Sequence, residues 1–188
     1  MSLHLMAPRA PHDVEPTAVA PTIALTPSTS QAVRGVAVSY SECFAVRTAG
    51  IAPSFLDLTG VAQDVIVRAD VQQGSLLIAT AHTTCAVIVQ ENEPLLLADL
   101  ADRLRRFASE EEAYRHNEMD IRVVNVCGPD ECANGHSHCQ HALLGASVTL
   151  PVHAGELALG RWQRILLVEL DHPRPREFTI QVTGVSPR

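Results

Sequence analysis

The 188-residue chain has no lysine; all fourteen of its basic residues are arginine. That absence excludes a Schiff-base lysine and the lysine of a phosphate-cradling P-loop. A phosphate bound by this protein must be met by arginine, backbone N–H groups, a helix N-terminus or a metal ion. Aromatic residues are scarce at 4%, and Trp162 is the single tryptophan. No apolar run reaches the ~18 residues that a membrane helix needs. Five cysteines is an odd number and no Cys-x-x-Cys occurs, so a complete disulfide framework is excluded and a redox pair is disfavoured. The first residues lack a basic segment followed by an apolar core, so a cytoplasmic protein is expected. With a net charge of −7, neither nucleic acid nor an anionic membrane is an expected partner.

What the chain does contain is globular: 46% hydrophobic and 19% charged residues, enough for one domain with a sizeable core. Residues 1–33 hold five of the twelve prolines and read as a flexible N-terminal extension, with 34–188 as a single domain. From Val36 to Val46 apolar residues alternate, which predicts a strand. A short amphipathic helix is expected over 61–71, and strands over 75–81 and 85–90. Asn92-Glu93-Pro94 reads as a helix start with Asn92 as the cap. Leu96, Leu100, Leu104 and Phe107 then fall on one helical face, with Asp99–Arg103 and Asp102–Arg106 as ion pairs on the wet side. Strands follow over 148–152, 165–170 and 178–184, with 171–175 as a turn. Two helical stretches among many short strands predict an α+β domain whose sheet is mainly antiparallel.

The chemistry-bearing residues concentrate between Asn125 and Gln163. His136, His138 and His141 lie with Cys127, Cys132 and Cys139 inside fifteen residues. On a strand His136 and His138 would share a face; on a helix they point roughly 200° apart, and His138 and His141 lie one turn apart instead. A catalytic zinc takes three protein ligands, so partners must come from elsewhere, and His82 and His116 are the candidates. His4, His12, His153 and His172 read as surface residues. The three cysteines with a histidine are a competing structural zinc site, although their spacing matches no common zinc motif. Asp130, Glu131, Glu91 and Glu169 are the nearby carboxylates. Glu169 is the notable one, because an acid within the apolar run LLVELD needs a partner. Trp162 reads as a core or interface residue.

These residues resemble a known family. His82-Thr83-Thr84, Glu91-Asn92, Tyr114-x-His116, Asn134-Gly-His136-Ser-His138, Leu143-Leu144-Gly145-x-Ser147 and Gly160-x-Trp162-Gln163 occur in the order found in the YjbQ-like family, often labelled a secondary thiamine-phosphate synthase. The resemblance covers roughly Ser39 to Gly184. It implies an α+β domain with a β-sandwich-like sheet, a homotrimer, and His82, His116 and His138 converging on a metal, zinc being the expected ion, with Mg²⁺ accompanying a diphosphate substrate. It further implies catalysis by Glu91 and Glu169, and substrate contacts from Thr83, Asn92, Asn134, His136, Trp162 and Gln163. Two departures are Arg161, in place of a small hydroxyl residue, and an acidic turn one residue shorter at Glu93-Pro94.

The function so implied joins a pyrimidine diphosphate to a thiazole phosphate. A zinc-dependent hydrolase or lyase, and a non-catalytic metal or small-ligand binding module, are the alternatives. The absence of lysine and of an Asp-rich Mg²⁺ cluster makes the synthase chemistry depend on arginine.

Overall fold

A computed structural model describes residues 32–126, 128 and 132–187. The expected extension over residues 1–33 therefore lies outside the described residues except for its last two positions. Twelve-residue strand β1 (Val36–Arg47) pairs antiparallel along its whole length with β8 (Pro175–Ser186). β8 also pairs with β3 (Gln73–Thr80), which pairs with β5 (Ser147–His153), and the short β6 (Glu156–Leu157) closes the sheet. The order of this five-stranded sheet is β1-β8-β3-β5-β6. A second, three-stranded sheet runs β2-β7-β4, from Ser54–Asp57, Gln163–Glu169 and Cys85–Glu91. Every pairing is antiparallel, so the α+β architecture with antiparallel sheets holds.

Alternation explains the layering. In β7 every residue from Ile165 to Glu169 is buried. Ile165 and Leu167 join Leu76, Ile78, Ile180 and Val182 of the large sheet in the main core, while Val168 and Leu170 pack with Leu104 in a smaller cluster on the opposite face. A strand whose two parities both go inward must have cover on both faces. The main core is completed by α1 (Thr59–Ala69), which buries Ala62, Val65, Ile66 and Ala69 at helical spacing. Burying side chains such as Val65 and Ile66 stabilises the fold by about 1.5–3 kcal/mol each. This helix begins and ends two residues earlier than its pattern predicts, because Asp70 adopts a left-handed conformation (φ 53°) and terminates it.

The second helix, α2 (Pro94–Phe107), corrects two expectations. Its cap is Glu93, whose carboxylate accepts from the N–H groups of Leu95 (2.9 Å) and Leu96 (2.8 Å). Asn92 instead donates to Asp57 at 3.0 Å. Glu93 thereby occupies the anion position that this helix end would offer a ligand. On the wet side Arg105 pairs with Asp102 at i,i+3 (2.9 Å), in place of the two expected i,i+4 pairs. Phe107, expected in the core, is 53% exposed, and Leu104 is the deeply placed leucine.

Gly74 and Gly184 face each other across β3 and β8. A Cβ on Gly74 would lie 2.6 Å from the Gly184 Cα, so this close strand approach requires glycine.

Candidate functional site

The residues Gly135–Leu144 form a helix, α3, and this decides between the two readings of His136-Ser137-His138. At 100° per residue the two imidazoles leave the helix on opposite sides. His138 turns toward a short 3₁₀ turn at Arg115–Asn117, and its ring lies 4.5 Å from that of His116, edge to face. His136 is buried on the other side. His141, one turn beyond His138, is engaged with the Cys85 carbonyl through Nδ1 (3.0 Å).

Two contacts seat α3 against the 3₁₀ turn. The Gly135 N–H donates to the Asn117 Oδ1 at 2.9 Å. A side chain on Gly135 would collide with Tyr114, its Cβ lying 2.7 Å from the ring Cγ. Glycine at that position therefore sets the distance between His138 and His116.

His82, Thr83, His116, Asn134 and His138 line one cavity of ≈ 430 Å³, together with Thr84, Arg122, Asn125, Arg174 and Arg176. No carboxylate lines it among the described residues. Arg176 is 2% exposed and its guanidinium is clamped by Glu169, through Nε to Oε2 at 2.7 Å and a short second contact to Oε1. It also donates to the Thr84 hydroxyl at 3.0 Å. Glu169 accepts in addition from the Thr48 hydroxyl (2.7 Å) and the Asp171 N–H (3.1 Å). Its acceptor sites are thus filled by intramolecular donors, and it is a positioning group behind Arg176 rather than a wall of the cavity.

Three polar atoms around this cavity are buried and lack a hydrogen-bond partner: His116 Nε2, Asn134 Oδ1 and Arg174 Nε. The Asn134 amide is oriented by donation to Asp171 at 3.0 Å. His82 Nε2 accepts the Glu177 N–H at 2.9 Å, which assigns the proton to Nδ1. Burial holds the His82 imidazole below its usual range, and the Arg176 charge adds to that effect.

The histidines expected to share a metal line one cavity, yet they do not form a three-ligand group there. His116 offers a buried, unpartnered nitrogen beside His138. The Nε2 of His82, however, is taken by the backbone, and among the described residues no group of three His, Cys, Asp or Glu side chains is placed to share one ion. That statement includes Cys132 and Cys139, whereas Cys127, Asp130 and Glu131 lie outside the described residues.

The remaining expected site residues lie elsewhere. β4 and β7 pair so that Cys85 faces Glu169 and Glu91 faces Gln163. Six residues of strand, roughly 20 Å, therefore separate Glu91, Asn92 and Gln163 from the histidine end. Gln163 braces its own turn by accepting the Gly160 N–H at 2.8 Å. Trp162 is 59% exposed, which rules out a core position within the chain, and the Arg161 guanidinium covers its ring at 4.6 Å.

With this geometry in hand, comparison with known proteins is decisive for kinship. Residues 44–185 match the family described as UPF0047 protein YjbQ-like. The chain belongs to this family. A UPF0047 protein of Methanothermobacter thermautotrophicus is 33% identical over 129 residues, 69% of this chain and 82% of the relative. One from Archaeoglobus fulgidus is 33% identical over 126 residues, 67% and 88% of the two chains. Among solved structures, a YbjQ-like protein of unknown function from Sulfolobus solfataricus superposes with a TM-score of 0.70 at 30% identity, covering 79% of this chain and 99% of that one. A hypothetical protein from Aeropyrum pernix K1 gives 0.67 at 32% identity, over 77% and 98%. Family membership establishes the fold of the UPF0047 domain and leaves its chemistry to be argued from the site.

Arg122, Arg174 and Arg176 are the site residues that sequence reasoning missed. Arg176 carried a signal: it shares parity with Phe178, Ile180 and Val182, all buried, so it had to point inward. Arg174 and Arg122 sit in irregular segments with no periodicity to reveal them.

Proposed function

We propose that this protein is an enzyme acting on a phosphorylated small molecule, with a reaction of the thiamine-phosphate synthase type. The observation that carries the reading is the cavity lining, three imidazoles and three guanidiniums without a carboxylate among the described residues, in a chain of net charge −7. Arg174 and Arg176 are ion-paired with Asp171 and Glu169, so the lining offers an anion oriented donors rather than a bare positive field. Arg174 Nε is a buried donor without a partner, and a phosphate oxygen would complete it with a charge-assisted hydrogen bond. The Arg176 guanidinium is fixed by Glu169 and Thr84, so its charge needs no reorganisation when negative charge develops nearby. Asn134 Oδ1 is a bare acceptor that suits an N–H group on the same substrate, as a pyrimidine amine provides.

In the synthase reaction the thiazole nitrogen forms a bond to the pyrimidine methylene carbon. The carbon–oxygen bond to the diphosphate breaks and its electron pair leaves with pyrophosphate. Arginine charge at the leaving group lowers that barrier. The test is formation of thiamine phosphate from the two phosphorylated precursors by purified protein, against a strict blank without enzyme. Turnover above the blank in wild type, reduced at least about tenfold in Arg174→Gln and in His138→Ala, is the expected result, one lost charged hydrogen bond being worth roughly that factor. Wild type equal to the blank with both Mg²⁺ and Zn²⁺ present would refute the synthase reading. The contact between His116 and His138, with an unpartnered His116 nitrogen, favours a metal-assisted hydrolase or lyase as the second reading.

A further inference from the structure

On the face of α3 opposite His138 lies a separate cavity of ≈ 410 Å³, lined in part by His136, Gln140, Glu110 and Glu111. Its size falls within the ~300–1,000 Å³ of small-molecule sites. We infer that this cavity is a second ligand site, and that it takes a small amine or amidine, a compact cation rich in N–H donors.

The inference follows from where the hydrogens must be. His136 and Gln140 are 8% and 1% exposed. Four residues apart on one helix, they share a face. The Gln140 amide nitrogen donates to the carbonyls of Leu104 (3.2 Å) and Ala108 (2.9 Å). Flipping the amide would set its oxygen against two carbonyl oxygens, so the orientation is fixed. Gln140 Oε1 is then a bare acceptor, and it has no partner.

The imidazole is fixed by the same reasoning. The Ser137 hydroxyl donates its one hydrogen to the Leu170 carbonyl at 2.7 Å. The 3.0 Å contact between that hydroxyl and His136 Nε2 therefore has the imidazole donating. Nδ1 is left with a lone pair and, like Gln140 Oε1, has no partner. Buried acceptors are ordinarily satisfied, and each unmade hydrogen bond is a desolvation cost that a donor would relieve. His136 and Gln140 both line the cavity, and two such acceptors select a ligand that donates twice.

Charge selects its sign. Arg105, the arginine of this cavity, is committed to Asp102 (2.9 Å) and to the Ala52 carbonyl (3.1 Å). Asp171 is likewise committed, to Arg174, His172 and Asn134. Glu110 and Glu111 are exposed and add negative charge to the lining. A cationic donor fits this field; an anionic acceptor meets bare acceptors and carboxylates together.

The test uses the full chain and two probes of one shape: benzamidine, a cation with N–H donors, and benzoate, an anion with acceptors alone. Isothermal titration should give saturable one-to-one binding of benzamidine and none of benzoate. His136→Leu should weaken benzamidine at least about tenfold, the loss of one buried hydrogen bond. Glu110→Gln, an exposed substitution that leaves the packing alone, should weaken it several-fold and decides the matter if His136→Leu does not fold. Equal binding of both probes, or benzamidine affinity unchanged in Glu110→Gln and in a folded His136→Leu, overturns the inference. So does a crystal structure in which a single ordered water bridges Nδ1 and Oε1 while no titration saturates. Phosphate titrated into a separate sample reports on the arginine-lined cavity, so failure of one site is distinguishable from failure of the other.

Discussion

Replacing Glu169 by glutamine should destabilise the fold severely, and by an amount the network predicts. Glu169 is 2% exposed and receives Thr48 (2.7 Å), the Asp171 N–H (3.1 Å) and two donors of Arg176. Glutamine has almost the same shape. Its NH₂ would replace an acceptor where donors converge, and the Arg176 guanidinium, also 2% exposed, would keep its charge with no counter-charge. Removing one partner of a buried ion pair costs about 3–5 kcal/mol, because the remaining charge stays desolvated. For a domain of this size 1 kcal/mol corresponds to about 2–4 °C in Tm, so a fall of about 6–20 °C is expected. Calorimetry and urea denaturation of wild type, Glu169→Gln, Arg176→Met and the pair Glu169→Met with Arg176→Met form the measurement. The double replacement should recover most of the loss, since an apolar pair of similar volume is often near-neutral where a broken ion pair is not. A Glu169→Gln protein melting within about 2 °C of wild type would show that the carboxylate is not the counter-charge of Arg176. It would then be available for chemistry, as the sequence alone suggests.

Further outcomes are expected at other positions. Gly135→Ala should cost about 1–3 kcal/mol by overpacking against Tyr114 and should weaken phosphate binding, whereas Gly60→Ala, whose Cβ meets nothing within 4 Å, should stabilise by up to about 1 kcal/mol; matched urea titrations read both. Burial pushes the Cys85 thiol up to about 12, so iodoacetamide at pH 8.5 should spare it in the native protein while modifying exposed Cys43 and Cys139, as peptide mass spectrometry will show. The same shift means the unfolded chain releases this proton first, so Cys85 contributes stability present below the ordinary thiol value of 9.0 and lost as pH rises toward about 12. Elemental analysis of protein purified without chelator should find about one transition-metal ion per chain, which requires His82 to turn and free its Nε2, and His153→Ala should leave that content unchanged; wild type without metal after zinc is supplied would exclude the site.

The strands and the long helix were legible because their residues repeat with the period of the element. β1 alternates exposed and half-buried positions from Val38 to Arg47, and β8 alternates from Phe178 through Val182, as the sequence suggests, while β8 begins earlier than expected, at Pro175. Helix α3 was ambiguous for a physical reason. Its buried residues are Gly135, His136, Ser137 and Gln140, all of them polar or small, so no apolar stripe marks its inward faces. Residue preference names Asn92 as the cap of α2, yet Glu93 reaches two N–H groups and leaves Asn92 for Asp57. The two-residue strand β6 is too short for any periodicity. The order of the family motifs along the chain carries no distance between their residues. Only the pairing of β4 with β7 reveals that Glu91 and Gln163 belong to the opposite end of the sheet from Thr84 and Glu169.

The helical period of α3 does more than place three histidines. It makes one ten-residue element the wall between two chemical environments. On the His138 side the lining is cationic, with Arg122, Arg174 and Arg176. On the His136 side it presents bare acceptors and carboxylates. A strand would have set His136 and His138 on one face and erased that separation. The two sides are nevertheless mechanically joined. Asn134, at the start of α3, lines the cationic cavity and donates to Asp171, which lines the other. Asp171 in turn pairs with Arg174, whose unpartnered Nε belongs to the cationic side. An anion that draws on Arg174 therefore competes with Asp171 for the same guanidinium. Any resulting shift of the Asp171 carboxylate alters the lining of the second cavity, because Asp171 belongs to that lining.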